Sequence, residues 1–267
     1  MKKFHDTWFK PNNATLIIVG DTTLNEIKPR VEKQFGGWKS GDVPSKNISP
    51  VEPQQKPMIY LIDRADSLQS VILAGHVAPP KRNPNEIAIE TMNTILGGTF
   101  TSRVNMNLRE DKHWSYGAFT FLWPARGQRP FIAYAPVQTD KTRESLIELE
   151  KELRGILGKQ PVTEKELDTA QKNQTLQLPG SWETGGAVAS SLGDIVTFGL
   201  PDDYFTTYTA RVRSLTVSDV DKAARQVVHP DQLVWVVVGD RSKVEAGIRE
   251  LGWGEVQFLD ADGNVVR

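Results

Sequence analysis

A duplicated strand-and-helix signature limits what this chain can fold into more than any other feature. Pro11-Asn12-Asn13-Ala14-Thr15-Leu16-Ile17-Ile18-Val19-Gly20-Asp21 aligns without a gap on Pro230-Asp231-Gln232-Leu233-Val234-Trp235-Val236-Val237-Val238-Gly239-Asp240. Each copy is a continuous β-branched run, the pattern of a buried strand, and ends at Gly-Asp. A helical stretch follows each, Leu24 to Phe35 and Lys243 to Leu251, and both close on Gly-Trp, at Gly37-Trp38 and Gly252-Trp253. A strand–helix unit of this size cannot cover its own apolar faces and needs a larger sheet. The second copy has about 170 residues of candidate sheet and helix before it; the first has almost nothing. The chain therefore reads as three parts. Residues 1–38 are the terminal strand and helix of a preceding homologous domain, 39–57 a linker with Pro44, Pro50 and Pro53, and 58–267 a second domain. The plainer alternative is chance recurrence, since apolar strand, Gly-Asp and helix follow one another in many α/β proteins.

Within the second domain, Met58 to Ile62 and Ser70 to Val77 read as strands. Asn83-Pro84-Asn85-Glu86 opens a helix carrying Ala88, Met92 and Ile95 on one face. Ser102 to Arg109 is a short helix with Val104 and Leu108 one turn apart. Tyr116 to Trp123 alternates as a strand does, and Phe131 to Val137 offers another. Helices follow, with capping signals at Thr163-Glu164-Lys165-Glu166 and Thr216-Val217-Ser218-Asp219, and further helices over Ala187 to Phe198 and Asp203 to Arg213. Strands, then a block of helices, then a last strand give an α+β fold, a mostly antiparallel sheet with helices packed on one face.

The chemistry open to such a chain is narrow. Its 267 residues contain no cysteine, which removes disulfides, Cys-ligated zinc, iron–sulfur clusters and Cys nucleophiles. A formal net charge of −1 gives no global field favouring nucleic acid. No apolar run is long enough for a membrane span, and Met1 to Lys10 lacks the apolar core of a signal peptide. The four histidines, His5, His76, His113 and His229, do not cluster, and no pair has the spacing that puts two imidazoles on one metal. A Ser–His–Asp arrangement is left open, without a Gly-x-Ser-x-Gly elbow to support it. Leu96-Gly97-Gly98-Thr99-Phe100-Thr101-Ser102 lacks phosphate-loop spacing and reads as a glycine C-cap followed by a serine N-cap.

Ser102 to Gly117 holds the candidate site. Arg109 ends the short helix, Tyr116 starts the alternating strand, and Glu110-Asp111-Lys112-His113 is a polar turn between them. That order would bring a guanidinium and a phenol to one sheet edge, donors suited to peptide carbonyls or a developing oxyanion. The structural alternative is an Arg paired with Glu110 or Asp111 and a Tyr buried in the core.

Taken together, Trp8-Phe9-Lys10 through Asp21, Leu96-Gly97-Gly98-Thr99-Phe100-Thr101-Ser102-Arg103, and Leu108-Arg109-Glu110-Asp111-Lys112 with Trp114-Ser115-Tyr116 resemble the pitrilysin/insulinase family of zinc peptidases, relatives of mitochondrial processing peptidase. The likeness runs from Phe4 to about Leu251. Family members contain two homologous domains, the first usually bearing an inverted histidine-x-x-glutamate-histidine zinc motif; this sequence has none. The resemblance implies the second, non-catalytic domain. Arg109 and Tyr116 would then hold the substrate backbone and support the oxyanion in trans. Zinc would lie in a homologous catalytic domain or subunit, with no metal or other cofactor in this chain. It also implies a peptide substrate, no nucleic acid, and a location for which the bacterial periplasm is slightly favoured over the cytoplasm. His113-Trp114 stands where relatives often have small or apolar residues. A structural or assembly module descended from the same peptidases is the alternative.

Overall fold

Along Gln69–Ala78 every second residue is buried, while Val71, Leu73, Gly75 and Val77 between them stay half-buried. That period of two identifies a strand with one face on a core. The computed structural model, which describes residues 1–266, assembles this strand into a seven-stranded sheet. The strands are β1 (Met58–Asp63), β2 (Gln69–Ala78), β3 (Phe119–Leu122), β4 (Arg129–Gln138), β5 (Val234–Gly239), β6 (Val256–Leu259) and β7 (Val265–Val266). Their order is β3-β4-β2-β5-β1-β6-β7. Pairing is antiparallel for β3 with β4, β4 with β2, β2 with β5 and β6 with β7, and parallel for β5 with β1 and β1 with β6.

One sheet face carries the core. Ile72 and Ala74, Phe131 and Ala133, and Trp235 and Val237 pack with Leu146, Leu149 and Leu153 of helix Thr142–Gly155. Val220, Ala224 and Val227 of helix Val217–Val227 join the same cluster. The fold is thus α+β with a mostly antiparallel sheet, as the element order predicts. The capping signals form as read: Thr216 accepts from the Asp219 amide while Asp219 accepts from the Thr216 amide, and Thr163 and Glu166 make the same reciprocal pair.

By Cα proximity this sheet and its helices form one unit, Pro50–Thr175 with the chain from Phe205 on. The other unit is Met1–Ser49 with Leu176–Tyr204. Residues 39–57 carry no helix or strand. In the smaller unit, helix Gly185–Phe198 is capped by Thr184, ends at left-handed Gly199, and begins beside Val19.

The two repeat copies share their flanks and differ in the middle. Both enter through a 3-10 turn, Pro11–Asn13 and Pro230–Gln232, and both exit into a helix, Leu24–Phe35 and Arg241–Glu250. Only the second forms a strand, the central β5. The strand expected at Thr15–Val19 enters no ladder among the described residues, and Leu16 and Ile18 are 56% and 44% exposed. A strand exists by pairing, and this segment meets no neighbour to pair with. A second correction concerns Tyr116, which precedes β3 instead of starting it.

Candidate functional site

The site segment is built from a glycine outward. A Cβ on Gly97 would stand 2.3 Å from the Thr120 amide nitrogen, so only glycine lets the helix end lie against β3. Asn93 locks that approach, donating to the Thr120 carbonyl at 3.1 Å and accepting from its hydroxyl at 2.8 Å. The expected glycine C-cap and serine N-cap are replaced here by a π-helical turn, Thr94–Gly98, and Ser102 donates to the Thr99 carbonyl without capping.

The helix that follows makes one α turn, Arg103–Asn105, and continues as a π-helix over Met106–Asp111. Val104 and Leu108 are fully buried and fix its orientation. Arg103 is held by Glu166 through two nitrogen–oxygen contacts of 2.7 and 2.8 Å. Those bonds, with Thr163, draw the Glu166 carboxyl down to about 2 against the desolvation that opposes it. With Leu108 inside, Arg109 faces outward. Its side chain is 37% exposed, its guanidinium lies 4.4 Å from the centroid of the exposed Phe100 ring, and Glu110 approaches at 3.4 Å. The Glu110 contact expected from the structural alternative is therefore present, beside a cation–π contact that the sequence reading missed.

The chain then reverses. Lys112, His113 and Trp114 amides donate to the Asn107, Arg109 and Leu108 carbonyls, and His113 adopts a left-handed φ of +59°. Ser115 bridges to Val137, and its hydroxyl donates to the Pro136 carbonyl. Tyr116 follows in a bend and is 86% exposed. Neither Arg109 nor Tyr116 lies in the apolar interior, and the buried-core alternative for the tyrosine is excluded. The bend replaces the expected strand start because fully buried Asn105 accepts from the Ala118 amide at 3.1 Å while donating to the Phe100 carbonyl at 2.6 Å. Asn105 escaped the sequence reading; its only trace was a second amide, Asn107, two residues on in an otherwise amphipathic turn.

The histidines need one correction. His76 and His229, distant in sequence, meet: their ring centroids are 5.4 Å apart and His76 Nε2 accepts from the His229 amide at 3.2 Å. Burial pushes the His76 pKa down to about 4, so its imidazole is neutral at ordinary pH. Among the described residues no group of three or more His, Asp or Glu is placed to hold a metal ion. The donor set does not fit zinc.

Comparison with known proteins sets this geometry in context. Residues 1–174 match a family model described as the peptidase M16 inactive domain. The chain is 24% identical over 235 residues to the zinc protease PqqE of Helicobacter pylori, covering 85% of this chain and 51% of that protein. It spans about half the length of that relative. The crystal structure of a peptidase M16 inactive domain from Pseudomonas fluorescens superposes with a TM-score of 0.74 at 23% identity, covering 83% of this chain and 52% of that one. A protease from Helicobacter pylori gives 0.76 at 21%, covering 89% and 58%. No helix among the described residues is long and apolar enough to cross a membrane.

Proposed function

Because the chain belongs to the peptidase M16 inactive-domain family, we propose that it is the substrate-holding half of a zinc endopeptidase whose metal sits in a homologous partner body. The carrying observation is Tyr116, an exposed phenol on a turn tied into the fold on both sides. An exposed large side chain on fixed backbone is the arrangement that lends a donor to a ligand arriving from outside. Tyr116 O–H donates to the oxyanion formed when the substrate carbonyl is attacked. The Arg109 guanidinium, steadied on Phe100, donates to a neighbouring carbonyl of the same peptide. Metal, its ligands and the attacking water belong to the partner, on the same polypeptide or a separate subunit.

Residues 1–38 fit the same reading as the closing strand and helix of that partner. β5, the paired copy of the repeat, has an antiparallel neighbour on one side and a parallel one on the other. Thr15–Val19 would take the same place in the partner's sheet. Leu16 and Ile18, the counterparts of the buried Trp235 and Val237, would face its core.

The test is kinetic. With the chain and its zinc-bearing half assembled, Tyr116→Phe is expected to lower kcat by about 10²-fold with little change in KM, the usual cost of one oxyanion donor. Turnover equal to wild type would remove Tyr116 from the chemistry and leave the assembly-module alternative.

A further inference from the structure

We propose that Asn105 is a positioning residue for Tyr116, and the inference rests on the role just given to that tyrosine. Asn105 has no exposed surface, and both ends of its amide are spent on backbone from other segments. Its Oδ1 accepts from the Ala118 amide at 3.1 Å, two residues after Tyr116. Its Nδ2 donates to the Phe100 carbonyl at 2.6 Å, the residue on which Arg109 rests. One side chain therefore joins the helix carrying Arg109, the backbone under its aromatic support, and the backbone that aims Tyr116.

The neighbouring bonds make this a clamp. On the upstream side, the Ser115 hydroxyl donates to the Pro136 carbonyl at 2.6 Å, and the Gly117 amide donates to that hydroxyl at 3.1 Å. Downstream, the Ala118 bond to Asn105 holds the turn. Gly117 lies between, where a Cβ would stand 2.9 Å from the Phe119 ring and 3.7 Å from Asn105 Oδ1. An exposed side chain has no packing to orient it, so its direction is set by its backbone. A backbone amide bonded to a buried, doubly engaged carboxamide has little freedom to move. Losing the acceptor frees the Ala118 end of the clamp and lets the phenol sample directions away from the reacting carbonyl, an error that costs up to about 10²-fold.

The experiment has two arms on the full chain. In the first, backbone order parameters of Ser115 to Ala118 are measured by NMR in wild type and Asn105→Ala. The variant is expected to fall from values near about 0.85 to below about 0.6 at these residues, while β2 and β4 keep theirs. Unchanged order at Ser115–Ala118 overturns the proposal, whatever Tyr116 does in catalysis. In the second arm, the assembled protease is assayed as a double-mutant cycle. Asn105→Ala should lower kcat about tenfold or more in the wild-type background, with KM nearly unchanged, and less than about twofold in Tyr116→Phe. An equal factor in both backgrounds overturns it, because a general structural defect does not depend on the phenol. Should Asn105→Ala fail to fold, Asn105→Asp retains the acceptor for Ala118. Held protonated by burial, it also donates to the Phe100 carbonyl, so it should keep the turn ordered and most of kcat, and a disordered turn in that variant also refutes the assignment. A wild-type rate for Tyr116→Phe alone, with the order parameters falling as expected, would refute the tyrosine's role and leave the clamp standing.

Discussion

His76 shows how a single buried side chain can make stability depend on pH. It is held neutral by burial, donates at Nδ1 to the Val77 carbonyl and accepts at Nε2 from the His229 amide. Unfolded, the same imidazole titrates at 6.5, so between that pH and about 4 the unfolded chain binds a proton that the folded chain does not. Stability from this group is complete above pH 6.5 and is lost as pH falls toward 4, amounting to about 3 kcal/mol. Urea melts of the wild-type chain across that window should show the decline, and His76→Gln should flatten it. A wild-type midpoint that stays level from pH 6.5 to 4 would contradict the assigned burial effect. Arg109 and Tyr116 draw their interest from the opposite condition, exposure on anchored backbone.

At the scale of elements, the repeat separates what local sequence determines from what it does not. Turns and helices close on bonds a few residues apart, so Pro11–Asn13 and Leu24–Phe35 form much as Pro230–Gln232 and Arg241–Glu250 do. A strand needs a partner elsewhere, and residues 15–19 enter no ladder among the described residues where Val234–Gly239 is central. Amide hydrogen exchange should therefore be fast at Leu16–Val19 in the chain alone and slow by orders of magnitude once the zinc-bearing half is added. Exchange that stays fast in an assembled, active complex would break the proposed strand addition. The same distinction explains what was legible elsewhere. Short apolar runs revealed β2 and β4, and S/T-x-x-D/E boxes revealed the helices beginning at Glu164 and Val217, because those signals are local. The bend at Tyr116 is tied down at Ala118 by Asn105 thirteen residues earlier, and the meeting of His76 with His229 spans 153 residues. Neither contact leaves a periodic trace in sequence.

For the whole molecule, the question is what the chain can do unaided. Its histidines supply no metal site. His76 Nε2 already accepts from the His229 amide, and among the described residues no group of three or more His, Asp or Glu is placed to hold a metal ion. Purified alone, the chain should hold no stoichiometric zinc, keep its Tm in chelator and cleave no peptide. One tightly bound zinc per chain in elemental analysis would overturn this account. The family was readable from Trp8 to Asp21, Leu96 to Arg103 and Leu108 to Tyr116 taken together, and the fold from the order of strands and helices. Which residues steady the last of those blocks was not, since the stabilising groups are buried amides whose partners are backbone atoms.

Nothing between Met1 and Ser49 is buried, even though the stretch contains Phe4, Phe9, Leu16, Ile18, Phe35 and Trp38. Left bare in a cell, such a greasy, β-prone ribbon invites self-association and chaperone capture. On the pairing proposed above, soluble yield should consequently rise when the chain is made together with the zinc-bearing half that would shield this stretch.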